Sequence, residues 1–461
     1  MENKKVATNK ILWIFAIGQL GWSMLSGIVS NLLVFFYLPG KQALENGQSV
    51  FIYQGTFIGL TMIGLISAVG RVFDAVTDPF IAGKSDRCKH RLGRRIPFMR
   101  YAAIPFGVVT VLMFVSPVNG ESPVNSVCLF ISAMLFYLCM TCYCTPYNAL
   151  IPELGRTQES RINLSTYISV TYFFGTALAY LVPNIAGIFM KSAGYANAYR
   201  IAIGIFAVIA IICMLIPAFL IDEQVYADTT PSEVSAFKSL VSTFKNKDFR
   251  IFVGSDILYW VGLTLFQTGL TFYVTELLGL AESKTFILFA TMTAMSLVCY
   301  TPVNILSKKM GKKKLIAFAF MFFSLTFIVT AFAGKIGLPP MVNGIIIAVL
   351  ASVPMAILGI LPQAVVADIA ESDKIKTGES RQGMFYAART FAFKMGQSVA
   401  MLIFTSVATI GRSSGLGYRL TAVIATVLCL TGAFVFLKYN EQGVLSVIQG
   451  ANNESHEQEA E

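Results

Sequence analysis

Apolar runs of helix length recur twelve times along this 461-residue chain, near 11–38, 51–83, 98–116, 125–151, 162–190, 198–221, 251–279, 285–306, 314–333, 340–366, 383–410 and 417–437. Each is roughly 18 residues or more, close to what an α-helix needs to cross a bilayer's hydrocarbon core. Short polar segments, many basic or carrying Gly and Pro, separate them. The pattern predicts an all-α polytopic membrane protein with twelve transmembrane helices. Residues 222–250 are the longest internal polar segment and divide the runs six and six. The expected organisation is a six-helix bundle over 1–221, a linker over 222–250 and a second six-helix bundle over 251–438. The polar tail 439–461 has no apolar period and is expected to be disordered. The first run is too long for a cleaved signal peptide and has no small-residue cleavage site.

Composition agrees: 55% of residues are hydrophobic and 13% charged, against about 25% charged in an average soluble domain. The net charge of +10 invites a nucleic-acid reading, but the positions of the basic residues oppose it. With both termini in the cytoplasm, 25 of the 35 Lys and Arg fall on cytoplasmic segments. Seven fall outside (Lys41, Lys191, Arg200, Lys284, Lys335, Arg412, Arg419), and Arg71, Arg389 and Lys394 lie within runs. That asymmetry is the positive-inside rule, so the charge sets orientation and implies a plasma (inner) membrane location with no nucleic-acid partner. The two halves also share punctuation. A Pro near the end of the second run precedes a short Gly-containing basic turn in each: Pro79 with Lys84 to Arg95, and Pro302 with Lys308 to Lys314. Two related halves leave such a trace. The eight cysteines are mostly within runs, and Cys142 and Cys144 point to different helix faces, so no metal site is expected.

The second run holds the most costly residues. Arg71, Asp74 and Asp78 fall within it, and a charge at membrane depth costs roughly 2.5–3.5 kcal/mol on insertion scales. Four residues of helix turn about 40° past a full revolution, so Asp74 and Asp78 share a face, with Arg71 on the same side. Asp74 lies about 15 Å of helix from Lys84, near mid-membrane. Two acids facing one way suit proton capture or, with hydroxyls nearby, an alkali cation. Thr77 and Thr141 are candidate hydroxyls. The competing reading is that Arg71, Asp74 and Asp78 only pin helices together through charge pairs; Asp86 and Arg87 follow in the basic loop.

Lys394, thirteen residues after Arg381, is about 20 Å into the eleventh run, too deep for snorkelling. Arg389 is about 140° away around that helix, so the two are not expected to face the same cavity. The fourth run ends with Pro146 and Pro152, prolines that free backbone carbonyls where a helix lines a cavity or moves. There Tyr143 and Tyr147 share a face, with Asn148 adjacent: aromatic and amide groups that suit a polyhydroxylated ligand, or ordinary packing. Trp22, Tyr259 and Trp260 carry the same two readings. No nucleophile–base pair, metal cluster or phosphate loop suggests an enzyme.

The Arg71, Asp74, Asp78, Pro79 run with its basic loop, the segment Pro146 to Glu153, and the stretch Gly383 to Lys394 resemble the glycoside–pentoside–hexuronide:cation symporters. That family is the melibiose-permease-like branch of the major facilitator superfamily. The resemblance covers nearly the whole chain. It implies two six-helix bundles, alternating access and uptake of a sugar with a cation, by a protein functional as a monomer. It also implies that Asp74 and Asp78 bind the ion and that Lys394 is the charged cavity residue of the second half. Ser23 and Cys144 stand where the sugar permeases carry acids, and a basic residue at the start of the fifth run is replaced near Thr166 or Tyr167. Ser23 with Trp22, Tyr143, Tyr147 and Asn148 would then form the substrate wall. The coupling ion is expected to be H⁺ or Na⁺, with a lean to H⁺ because the lost acid at Cys144 removes an oxygen ligand. No cofactor is expected. Two other readings stay open: a transporter of a less polar amphiphile such as a lysolipid, and a non-transporting sensor.

Overall fold

A computed structural model describes residues 5–155, 157–226, 243–378, 382–411 and 414–460. Most of the linker expected at 222–250, together with Arg381 and Arg412, lies outside them. Among the described residues the chain runs back and forth as twelve long helical segments, numbered in chain order. The first half holds Asn9–Tyr37, Met62–Asp86, Ile96–Leu112, Pro123–Leu154, the pair Gln158–Tyr180 and Val182–Ala193, and Tyr195–Leu220. The second holds Lys247–Phe272 (continued to Leu277 by a π-turn), Lys284–Met310, Lys312–Ala331, Pro340–Thr377, Gln382–Val407 and Leu416–Phe436. These are spans one to twelve. Ten are long and apolar enough to cross a membrane. Span two carries Arg71, Asp74 and Asp78, and span three is short at 17 residues.

Span two begins later than its apolar run suggests. Residues 56–61 form a two-residue hairpin, Thr56–Phe57 on Leu60–Thr61, turned by Ile58 and Gly59 at φ 52° and 77°. Thr61 then caps the helix, its side chain accepting from the Gly64 N–H. Continuous apolarity does not register a turn made by backbone geometry. Asp74 still falls midway between Met62 and Asp86. Span four stays helical through Pro146 and Pro152.

The halves pack alike. Span one lies on spans five and six, span three on four and six, and span two on four. Spans seven, nine and eight repeat those neighbours on eleven and twelve, ten and twelve, and ten. Close approach depends on small residues: a Cβ at Gly175 of span five would stand 2.1 Å from the Ser23 Oγ and 2.6 Å from the Leu20 carbonyl. Each half also ends with an acid that caps its third helix. Glu223, just after span six, accepts from the Arg95 and Ile96 N–H groups at 2.8 and 2.9 Å. Glu441, just after span twelve, accepts from Lys312 and Lys313 at 2.7 and 3.1 Å. Both satisfy donors that a helix start leaves free.

The tail is not the disordered segment its polarity suggested. Residues Glu441–Ala460 are helical, and the helix lies against span ten. Val444 is buried and Ile448 half-buried, four residues apart on one face. Two apolar residues and the Glu441 cap suffice to dock a helix that lacks a longer apolar stripe.

Span two meets span eleven, span one meets seven and span five meets eight across the halves. On the face away from the termini, Tyr195 donates to Glu282 at 2.6 Å and Tyr199 donates to the other carboxylate oxygen. The Gln42 N–H donates to Glu276 at 3.3 Å, Ser398 donates to the Ala68 carbonyl at 3.0 Å, and Phe35 meets Phe272 at 5.2 Å. These contacts close that face. A cavity of ≈ 430 Å³ lies between the halves and reaches toward the terminal face, where Asn148, Gln363 and Tyr386 line it.

Candidate functional site

Lys394 of span eleven reaches both acids of span two. Its Nζ is 2.8 Å from Asp74 Oδ2 and 2.6 Å from Asp78 Oδ2. Asp74 is wholly buried, whereas the Asp78 side chain keeps 24% exposure. The second oxygens are held from span four: Thr141 donates to Asp74 Oδ1 at 2.9 Å and Thr145 donates to Asp78 Oδ1 at 3.0 Å. The helix pitch that puts the acids on one face therefore puts Thr141 and Thr145, also four apart, opposite them. At an effective dielectric near 20, each lysine–carboxylate contact is worth about 6 kcal/mol of Coulomb energy before desolvation is subtracted.

Thr77 is not the hydroxyl on Asp78. It bonds its own helix, to the Phe73 and Asp74 carbonyls at 2.9 and 3.1 Å, and meets the Thr141 hydroxyl at 3.3 Å. Being one residue from Asp78 on a helix turned it about 100° away. Thr145, the residue that fills the role, was findable as the i+4 partner of Thr141.

Arg389 and Lys394 both border the cavity, contrary to the expectation from their angular separation. The cavity spans a wide arc of span eleven, and Arg389 reaches sideways to span seven. There its Nε and Nη2 donate to the two Asp256 oxygens at 2.8 and 3.0 Å. Asp256 carried the same signal as Asp74, an acid within an apolar run. Arg71 donates to Ser30 Oγ at 2.9 Å and lies over the Tyr137 ring at 5.4 Å.

Trp22, Ser23, Cys144 and Asn148 line the cavity. Tyr143 and Tyr147 do not. Both are fully buried, donating to the Met214 and Phe15 carbonyls at 2.9 Å each, and Tyr147 stacks on Phe15 at 4.1 Å. They hold span four to spans six and one, because their shared face points into the first half. Trp260, by contrast, lines the cavity stacked on Phe393 at 4.5 Å. The indole N–H groups of Trp22 and Trp260 have no hydrogen-bond partner among the described residues. A buried donor left without a partner costs roughly 1–3 kcal/mol.

Asp86 and Arg87 part company. Asp86 sits 3.5 Å from Arg95, which also pairs with Glu153, itself 3.6 Å from Arg94. Arg87 is exposed at the helix end. A rigid helix C-terminus directs neighbouring side chains apart, so the partner of Asp86 comes from the next loop. Lys312 and Asp368 form the matching pair in the second half.

Residues 14–439 match the profile of a family described as MFS/sugar transport protein. A similar sequence is an uncharacterized symporter from Synechocystis, 22% identical over 459 residues, 82% of this chain and 81% of that one. Another is the isoprimeverose transporter of Lactiplantibacillus pentosus, 23% identical, covering 76% and 73%. Among solved structures, a D-xylose–proton symporter superimposes with a TM-score of 0.66 at 14% identity, over 94% of this chain and 98% of that one.

Proposed function

The chain belongs to the MFS/sugar transport protein family, and from that premise we propose that it imports a sugar or glycoside by alternating access, with a coupling cation held by Asp74 and Asp78. The observation that carries this reading is the Lys394 bridge to both acids, because it ties the two halves together at mid-membrane. A cation arriving at the carboxylates competes with the lysine for the same oxygens and loosens the tie. A substrate bound across the cavity replaces it with contacts of its own. Cation alone or substrate alone leaves the rearrangement incomplete, which is what coupling requires.

The coupling ion we propose is H⁺. Protonation needs one carboxylate, whereas Na⁺ needs several oxygens in a cage whose centre Lys394 occupies. The unpartnered indoles and the Ser, Asn and Gln side chains of the cavity wall favour a hydroxylated cargo over an amphiphile. In this reading the protein works as a monomer in the plasma membrane with both termini cytoplasmic, so the cavity faces inward. The test is uptake of labelled glycosides, pentosides and uronides into membrane vesicles with imposed H⁺ or Na⁺ gradients. Equal accumulation with and without either gradient refutes symport.

A further inference from the structure

A second cavity, of ≈ 550 Å³, lies between spans two and four, apart from the central one. Met62 and Ile66 wall it from span two, Val127 and Phe130 from span four. Deeper along the same helices the outward faces stay apolar and exposed, with Val69 and Val72 on span two and Ile131 and Leu135 on span four. In a membrane-spanning chain a face of this kind meets acyl chains. The rim is polar and sits on the face away from the termini: Tyr53, Glu121 and Ser122, with Ser126 one turn further in. Hydrogen bonds fix that rim. The Ser122 N–H donates to the Phe51 carbonyl at 3.1 Å, and the Asn125 amide donates to the same carbonyl and to that of Val118, each at 2.9 Å. Glu121 is exposed and carries the only charge in the lining.

The hairpin that leads into span two also turns apolar groups outward at this end. Its tip residues Phe57 and Ile58 are 70% and 86% exposed. Ile58 holds φ 52°, a left-handed backbone that a β-branched residue adopts only under strain. Such a tip is unfavourable in water and suits the headgroup layer of a bilayer. We propose that the groove between spans two and four binds one phospholipid of the adjoining leaflet, with a headgroup that ends in a primary ammonium. One acyl chain lies between Ile66 and Phe130, the ammonium donates to Glu121, and the Tyr53 and Ser122 hydroxyls donate to the phosphate. An anionic headgroup would bring negative charge to Glu121 with no basic residue in the lining to offset it. A choline headgroup has no N–H to donate to the carboxylate. Both walls belong to the first half and pack on each other, so the site persists when the halves part.

The test uses the full-length protein, purified in detergent and titrated with phosphatidylethanolamine, phosphatidylcholine or phosphatidylglycerol of identical acyl chains. Native mass spectrometry reads the Kd of the first lipid bound. Phosphatidylethanolamine is expected to bind about fivefold more tightly than either of the others. Glu121→Gln is expected to remove that preference by weakening phosphatidylethanolamine about fivefold. Val127→Trp, which fills the groove from an exposed position, is expected to abolish the tight first site. Thermal unfolding of the lipid-free variants, expected to match the wild type, separates a lost site from misfolding. Phosphatidylcholine or phosphatidylglycerol binding as tightly as phosphatidylethanolamine overturns the proposal. Unchanged phosphatidylethanolamine binding in Glu121→Gln or in Val127→Trp overturns it too.

Discussion

Tyr195 donates a 2.6 Å hydrogen bond to Glu282, and the two residues belong to different halves. Glu282 is 7% exposed, in the loop before span eight. Burial pushes its carboxyl above the ordinary range, the two tyrosine donors pull it back in part, and Glu276 pushes it further up. The closed face thus holds this proton more tightly than an open one, in which Glu282 would be solvated. Closure gains its full proton contribution below the ordinary carboxylate pKa and loses it as pH rises through the raised value. Labelling of Ser283→Cys by an impermeant maleimide, in a background without native cysteines and relative to the same cysteine in unfolded protein at each pH, should therefore speed up with rising pH. Glu282→Gln should flatten that dependence, and Glu282→Ala should label fast throughout. A pH-independent wild type would remove Glu282 from the closure.

The Lys394 bridge gives separate expectations for the two acids. Asp74→Asn and Asp78→Asn should each abolish accumulation against a gradient while substrate exchange persists, because Lys394 keeps one carboxylate in either variant. Counterflow and gradient-driven uptake in the same vesicles separate these. Concentrative uptake surviving in both variants would make the pair a helix clamp and nothing more.

Much of the site was legible, and what was missed has a common cause. Charges inside apolar runs are conspicuous because they are expensive, so Asp74, Asp78 and Lys394 stood out and do converge. Which way a helix face points is not written in its periodicity. Tyr143 and Tyr147 share a face as expected, but periodicity does not say whether that face meets the cavity or the neighbouring helices. Thr77, beside Asp78 in sequence, is turned away from it, and Thr145 of span four bonds Asp78 instead, because adjacency in sequence is not adjacency on a helix. The start of span two and the docked tail escaped because a hairpin turn and a two-residue apolar contact leave almost no compositional trace.

The tyrosines accordingly yield a stability prediction. Tyr143→Phe removes a buried donor from the Met214 carbonyl and should cost about 1–3 kcal/mol, with the substrate KM unchanged. Trp22→Phe should do the reverse, raising KM at little cost in stability, because its N–H has no partner to lose. Thermal unfolding in detergent and uptake kinetics together distinguish the two. A large KM change in Tyr143→Phe would return that hydroxyl to the substrate path.

Glu223 and Glu441 cap equivalent helices, each through two backbone N–H groups. Replacement of either by Ala should destabilise by about 1–2 kcal/mol. The two effects should add, since the caps serve different halves. Thermal unfolding of the two single variants and the double variant checks this. Loss in one half without a matching loss in the other would show the repeat to be geometric but not energetic.

Arg389 and Asp256 form a two-pronged ion pair, and their side chains are only 7% and 4% exposed. Removing one partner strands a buried charge, so Arg389→Ala or Asp256→Ala should each cost about 3–5 kcal/mol. Removing both strands nothing, and the double variant should be less damaged than the sum and close to either single. Thermal unfolding of the two single variants and the double variant in detergent measures this. A double variant as damaged as the sum of the singles would show that the two side chains do not act as a pair.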